Sequence, residues 1–143
     1  MLKIFTILLA FVLLTSCSSD DNFRNNNPYL VDLNFSFQMD LNFPQYNDLQ
    51  FPGNAFVNYN YGINGVVIYN VNNSVYTAFE FSDPNHPLTD CSTLELNGTE
   101  VSCRCEDGNK YSIITGQQLT GDGQYPLKAY RIERRGSILE ISN

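Results

Sequence analysis

The sequence predicts an all-β domain, an antiparallel sandwich or small barrel, and three observations predict it. From 31 to 43 every odd residue is apolar (Val31, Leu33, Phe35, Phe37, Met39, Leu41, Phe43) and every even one polar, the two-residue period of a half-buried strand. Beyond the stretch between Pro44 and Pro52, eight short apolar pieces follow at 55–59, 66–71, 75–81, 93–96, 99–103, 110–114, 128–133 and 138–141, each bounded by turn residues. No segment carries the 3.6-residue period of an amphipathic helix. Charged residues are only 16%, so Asn, Ser, Thr, Gln and Tyr must supply the polar surface, a composition that suits strands and turns. Asn72-Asn73, Asn97-Gly98 and Gly136-Ser137 are expected hairpin turns, because Asn and Gly tolerate positive φ.

Ahead of the strands lies a different kind of sequence. Met1-Leu2-Lys3 is a basic start, and 4–14 is an apolar run broken only by Thr6. Such a run is too short to span a bilayer, which takes ~20 apolar residues, and it reads as an export signal. Leu14-Thr15-Ser16-Cys17 resembles the lipobox of bacterial lipoproteins, in which the Cys is acylated and exposed by cleavage. The resemblance implies that 1–16 are removed and that Cys17 carries palmitate-type acyl chains. These chains would anchor the mature protein in the outer membrane, at its periplasmic face or the cell surface. Ser18-Ser19-Asp20-Asp21-Asn22-Phe23 is similar to the acidic tag of surface-displayed lipoproteins and reads equally well as a spacer. Residues 17–28 lack any apolar period and form the expected linker, leaving one domain over 29–143.

Charge and motifs exclude several functions. The precursor carries −7; loss of Lys3 leaves seven basic against fifteen acidic residues, or −8. Nucleic acid is therefore not an expected partner, and the one basic cluster, Arg131, Arg134 and Arg135, reads as a solvated strand pair. A hydrolytic triad would need His86 and Asp83, but no Gly-x-Ser-x-Gly elbow accompanies them. Gly121-Asp122-Gly123 lacks the Lys and the strand–helix setting of a phosphate loop. Asp83 and Asp90 lack the ligand pattern of a dedicated calcium loop. The chain is thus expected to be no enzyme.

Three segments over 65–143 stand out: Gly65-Val66-Val67-Ile68-Tyr69 with Tyr76-Thr77-Ala78-Phe79, then Val101-Ser102-Cys103-Arg104-Cys105 with Tyr111 and Gly116. The third is Tyr125-Pro126-Leu127-Lys128-Ala129-Tyr130-Arg131-Ile132 with Leu139-Glu140-Ile141. Together they resemble a Rieske-type iron–sulfur domain, and more closely a degenerate lipoprotein branch of that family. The resemblance implies a Rieske-like sandwich with two cluster loops. In Ser82-Asp83-Pro84-Asn85-His86, Asp83 stands at the first Cys position and Asn85 or His86 at the first His position. Cys103 matches the second Cys, and Glu106 takes the second His position. A Rieske centre needs two imidazoles and two thiolates, yet His86 is the only His in the chain. The four thiolates of an all-Cys cluster are missing too, since acylation of Cys17 leaves three. No cofactor is expected; a surviving [2Fe–2S] electron-transfer centre is the alternative.

In an oxidising compartment, three cysteines imply one disulfide and one thiol. A three-residue turn at 97–99 sets Cys91 opposite Cys105; a two-residue turn at 97–98 sets it opposite Arg104. The family resemblance implies Cys91–Cys105, which closes a 15-residue loop and contributes ~3 kcal/mol in the loop-entropy model. Cys103 is then a free core thiol. The competing zinc set is His86, Cys91, Cys103 and Cys105, whose spacing departs from paired ligand knuckles. The expected protein is a lipid-tethered envelope module with a protein or glycan partner. A surface adhesin is the further alternative, on the Asn- and Tyr-rich composition.

Overall fold

The computed structural model describes residues 27–143, so Cys17 and the export signal lie outside the described residues. Ten strands form: β1 (Ser36–Asp40), β2 (Ala55–Asn58), β3 (Val66–Asn70), β4 (Tyr76–Glu80), β5 (Glu95–Asn97), β6 (Glu100–Ser102), β7 (Lys110–Ser112), β8 (Gln118–Thr120), β9 (Arg131–Arg135) and β10 (Ile138–Ser142). They pair antiparallel in three sheets, β1-β10-β9, β2-β3-β4 and β5-β6-β7-β8. The all-β antiparallel class stands as expected, and no described helix is long and apolar enough to cross a membrane.

The middle sheet explains why 66–71 and 75–81 are nearly unbroken apolar runs. Along β3, Val66 and Ile68 face one core with Met39, Leu139 and Ile141 of the first sheet and Leu41 just beyond β1. Val67 and Tyr69 face a second core with Val101 and Tyr111 of the third. β4 divides the same way, with Tyr76 and Ala78 on one side and Phe79 and Phe81 on the other. A strand buried on both faces has no polar side to alternate with.

Four local expectations are corrected. The strand expected over 31–43 is only Ser36–Asp40, with Val31, Leu33 and Phe43 exposed. Side chains rather than a neighbouring strand take the carbonyls of 31 and 33, from Lys128 and Asn143. At the far end Pro44 opens a 3-10 helix, Pro44–Gln50, that buries only Leu49 and so shows no helical period. The strand β8 went unread because it is a mostly exposed, polar edge. Finally, Asn97 pairs with Glu100 and Leu96 with Val101, so the loop is Gly98-Thr99, with Gly98 at φ 62°. Neither considered register is present. Cys91 lies outside this ladder, in the 3-10 turn Asp90–Ser92, and its position follows from that turn.

Candidate functional site

The loops bearing Asp83 and Cys103 meet at one end of the second core. β4 runs on through Phe81 and Ser82, and Asp83 donates its N–H to Ser92 O at 2.9 Å. Because Pro84 follows, Asp83 is held extended, and its Oδ1 accepts the Asn85 N–H at 2.8 Å in a local turn. The second loop leaves β6 at Ser102 and returns to β7 through a turn with positive φ at Glu106 and Gly108. Cys103 N–H donates to Asn109 O, and Asp107 Oδ1 accepts the Asn109 N–H.

Asp83 is fully buried, and its carboxylate organises the site. Oδ1 also accepts from the Tyr111 hydroxyl at 2.6 Å, and Oδ2 accepts from Asn109 Nδ2 at 3.0 Å. Asn85 is equally committed. Its Nδ2 donates to Tyr111 Oη at 3.0 Å and Tyr125 O at 2.7 Å, while its Oδ1 accepts the N–H groups of Gln124 and Tyr125 at 2.8 and 2.9 Å. One side chain thereby fastens the proline-containing loop over the site. Among the described residues no buried side-chain nitrogen or oxygen lacks a partner.

Cys103 Sγ lies with the carboxylates of Asp83 and Asp107, their atoms within 4.8 Å of one another. Burial pushes this thiol well above its ordinary range, and hydrogen bonding to Asp83 and Asp107 pushes it further, against a lowering contact from the Cys105 N–H. The sulfurs of Cys91 and Cys105 stand at bonding distance, with Cα atoms 5.0 Å apart. His86 forms a separate group with them, and its Nδ1 lies 2.6 Å from Pro87 O. The structure thus brings Asp83, Asn85 and Cys103 together, leaves Glu106 exposed, and divides the would-be zinc set between two groups. Asn109, Tyr111 and Asp107 are the members that sequence reasoning missed as site residues. Their nearness in sequence to Cys103 and Cys105, with Tyr111 on the strand that follows, was the available signal.

Elsewhere a groove of about 520 Å³ is lined by Val57, Tyr59, Phe81, Glu95, Leu96 and Arg104. Tyr59 is 68% exposed, its ring edge-to-face with Phe81. Arg104 is fixed by Nε to Thr93 O and Nη2 to Asp90 O, both 3.1 Å. The expected basic cluster is engaged locally: Arg131 and Arg135 share Glu133, and Arg134 lies over the Tyr76 ring and donates to Gly136 O.

Fold and site together define a small antiparallel β protein with a polar, internally bonded loop end. No protein-family model matches the chain, and no curated protein does. Among solved structures it is similar to a ferredoxin of Sphingomonas yanoikuyae B1, at 18% identity over 65% of this chain and 88% of that one, with a TM-score of 0.45. It is similar also to the ferredoxin of carbazole 1,9a-dioxygenase from Nocardioides aromaticivorans IC177, at 13% identity over 64% and 86%, with a TM-score of 0.44. A chain in a complex of reduced oxygenase and oxidised ferredoxin of carbazole 1,9a-dioxygenase matches at 20% identity over 64% and 82%, with a TM-score of 0.46. Scores below 0.5 at these identities carry no functional argument.

Proposed function

We propose that this chain is a lipid-tethered, non-enzymatic protein of the cell envelope whose Rieske-like domain holds no cluster and acts as a structural or binding module. The donor set at the four ligand positions supports this reading. A [2Fe–2S] Rieske centre takes two thiolates and two imidazoles. Asp83, Asn85 or His86, Cys103 and Glu106 offer two carboxylates, an amide or the single imidazole, and one thiol that its surroundings keep protonated. Asp83 and Asn85 also direct their polar atoms to protein partners, so the residues do not fit the group. Protein purified without oxygen is expected to be colourless and free of stoichiometric iron. A brown product with a paramagnetic centre after reduction would establish the electron-transfer alternative instead. For the tether, the mature N-terminus is expected to be an acylated Cys17, and Cys17→Ser should release the protein from membranes.

A second reading, glycan binding, is favoured by the groove beneath Tyr59. An exposed aromatic ring beside a fixed guanidinium and the Glu95 carboxylate suits a pyranose face and its hydroxyls. Binding of envelope polysaccharide that disappears in Tyr59→Ala would support it; equal binding by both proteins would remove it.

A further inference from the structure

We infer that one edge of the domain, the segment bearing Tyr29, Val31 and Leu33 together with the neighbouring 84–88 loop, rests against the lipid bilayer in which the protein is anchored. The inference builds on the proposed tether at Cys17. It begins with how firmly the segment after the linker is held. Asn27 is buried and donates Nδ2 to Pro84 O at 2.7 Å, and its Oδ1 accepts the Tyr29 N–H at 2.8 Å. Lys128, itself buried, donates Nζ to Val31 O at 3.1 Å and Asp32 Oδ1 at 2.6 Å. Asn143 gives its side-chain N–H to Leu33 O and its backbone N–H to Phe35 O. Asn27, the first described residue, is already held, two residues before the expected boundary, so at most residues 18–26 separate the acylation site from a fixed point.

Nine residues reach at most ~30 Å, so the Asn27–Pro84 corner cannot leave the neighbourhood of the bilayer. From that corner the chain runs away through β1, whose end at Asp40 pairs with Ile138 beside the β9–β10 turn. The surface at the near edge is unusual for an extended segment tied down by its carbonyls. Tyr29, Val31 and Leu33 remain exposed, Val31 to 57%, and Leu88 is exposed in the loop that Asn27 touches. The one acid among them, Asp32, is neutralised by Lys128. A net charge of −8 gives anionic headgroups no hold, so contact with lipid has to be apolar, and the short tether supplies the effective concentration that a few side chains need. Phe43, equally exposed at 54%, sits past the far end of β1 and should stay in water.

The chain contains no Trp, so a single introduced indole reports its own surroundings. Acylated full-length protein carrying Val31→Trp or Phe43→Trp would be placed in phosphatidylcholine vesicles with and without brominated acyl chains. Val31→Trp is expected to show a blue-shifted emission that brominated lipid quenches, and Phe43→Trp neither effect. If both proteins float with the vesicles while Val31→Trp stays unquenched, or both indoles are quenched alike, the orientation is wrong and the tether stands. If acylated protein fails to float, the tether and the orientation fall together. Leu88→Trp, in a separate loop, repeats the measurement should Val31→Trp not fold.

Discussion

Two buried carboxylates lie three residues apart on one strand and its exit, each accepting a tyrosine hydroxyl at 2.6 Å, and they do different things. Glu80 takes Tyr130 on Oε2, and its remaining donors are the backbone N–H groups of Ile63 and Asn64 and the hydroxyl of Ser82. Asp83 takes Tyr111, and its remaining donors are Asn109 Nδ2 and the Asn85 N–H, with the Cys103 thiol close by. Glu80 is a clasp that ties a loop to the middle sheet. Gly62 makes room for it, since a Cβ there would stand 2.7 Å from Glu80 Oε2. Asp83 is a hub among side chains of the two loops that meet at the end of the second core. A buried acid is tolerated at both places because every acceptor is filled, but only at the second are the donors mostly side chains that join two loops into one polar network.

The comparison breaks most visibly at Glu80. Glu80→Ala strands two backbone donors that cannot turn elsewhere, and should cost about 4 kcal/mol in urea unfolding. Joint replacement of Cys91 and Cys105 by Ser is expected to cost about 3 kcal/mol, since the pair closes a loop between the two site loops. Asp83→Ala should cost less than Glu80→Ala, about 2–3 kcal/mol, because the Tyr111 hydroxyl and the Asn109 amide can reorient or find water. Equal losses at 80 and 83 would mean the two acids are the same kind of structural clasp.

How much of this was legible follows from range. Alternation placed Phe37, Met39 and Leu41 inward, and all three are buried. Positive φ at Asn73, Gly98 and Gly136 agrees with the residues marked as turns. These are signals within a few residues. The hub joins Asp83 to Tyr111 across 28 positions and Asn85 to Tyr125 across 40, and the clasp joins Glu80 to Tyr130 across 50. No periodicity encodes such pairs, so Tyr111 and Tyr130 appeared only as landmarks of a resemblance. The missed hairpin register has the same origin: Asn97-Gly98 marks a turn, while packing of Leu96 and Val101 against the second core decides which residues face each other.

At neutral pH the smallest expected effect belongs to the tyrosines of the two pairs, whose hydroxyls also set a pH dependence shared by both. Burial is the main force raising the Tyr111 and Tyr130 hydroxyls above their ordinary range, aided by Asp83 in one case and Glu80 in the other. The folded state therefore holds these protons more tightly than the unfolded chain. Their stabilisation is complete below the unfolded value of about 10 and is lost as pH rises beyond it, by at most ~1.4 kcal/mol per pH unit for each phenol. Urea midpoints should fall steeply above pH ~10, and Tyr130→Phe or Tyr111→Phe should each flatten that fall while costing about 1 kcal/mol at neutral pH. Asn85 Nδ2 also stabilises the Tyr111 phenolate, an assistance that Tyr130 lacks. Even so, both hydroxyls are raised far enough that the folded state keeps each proton through this range, so the two replacements should flatten the fall equally; flattening by only one of them would mean that the other tyrosine already ionises in the folded protein.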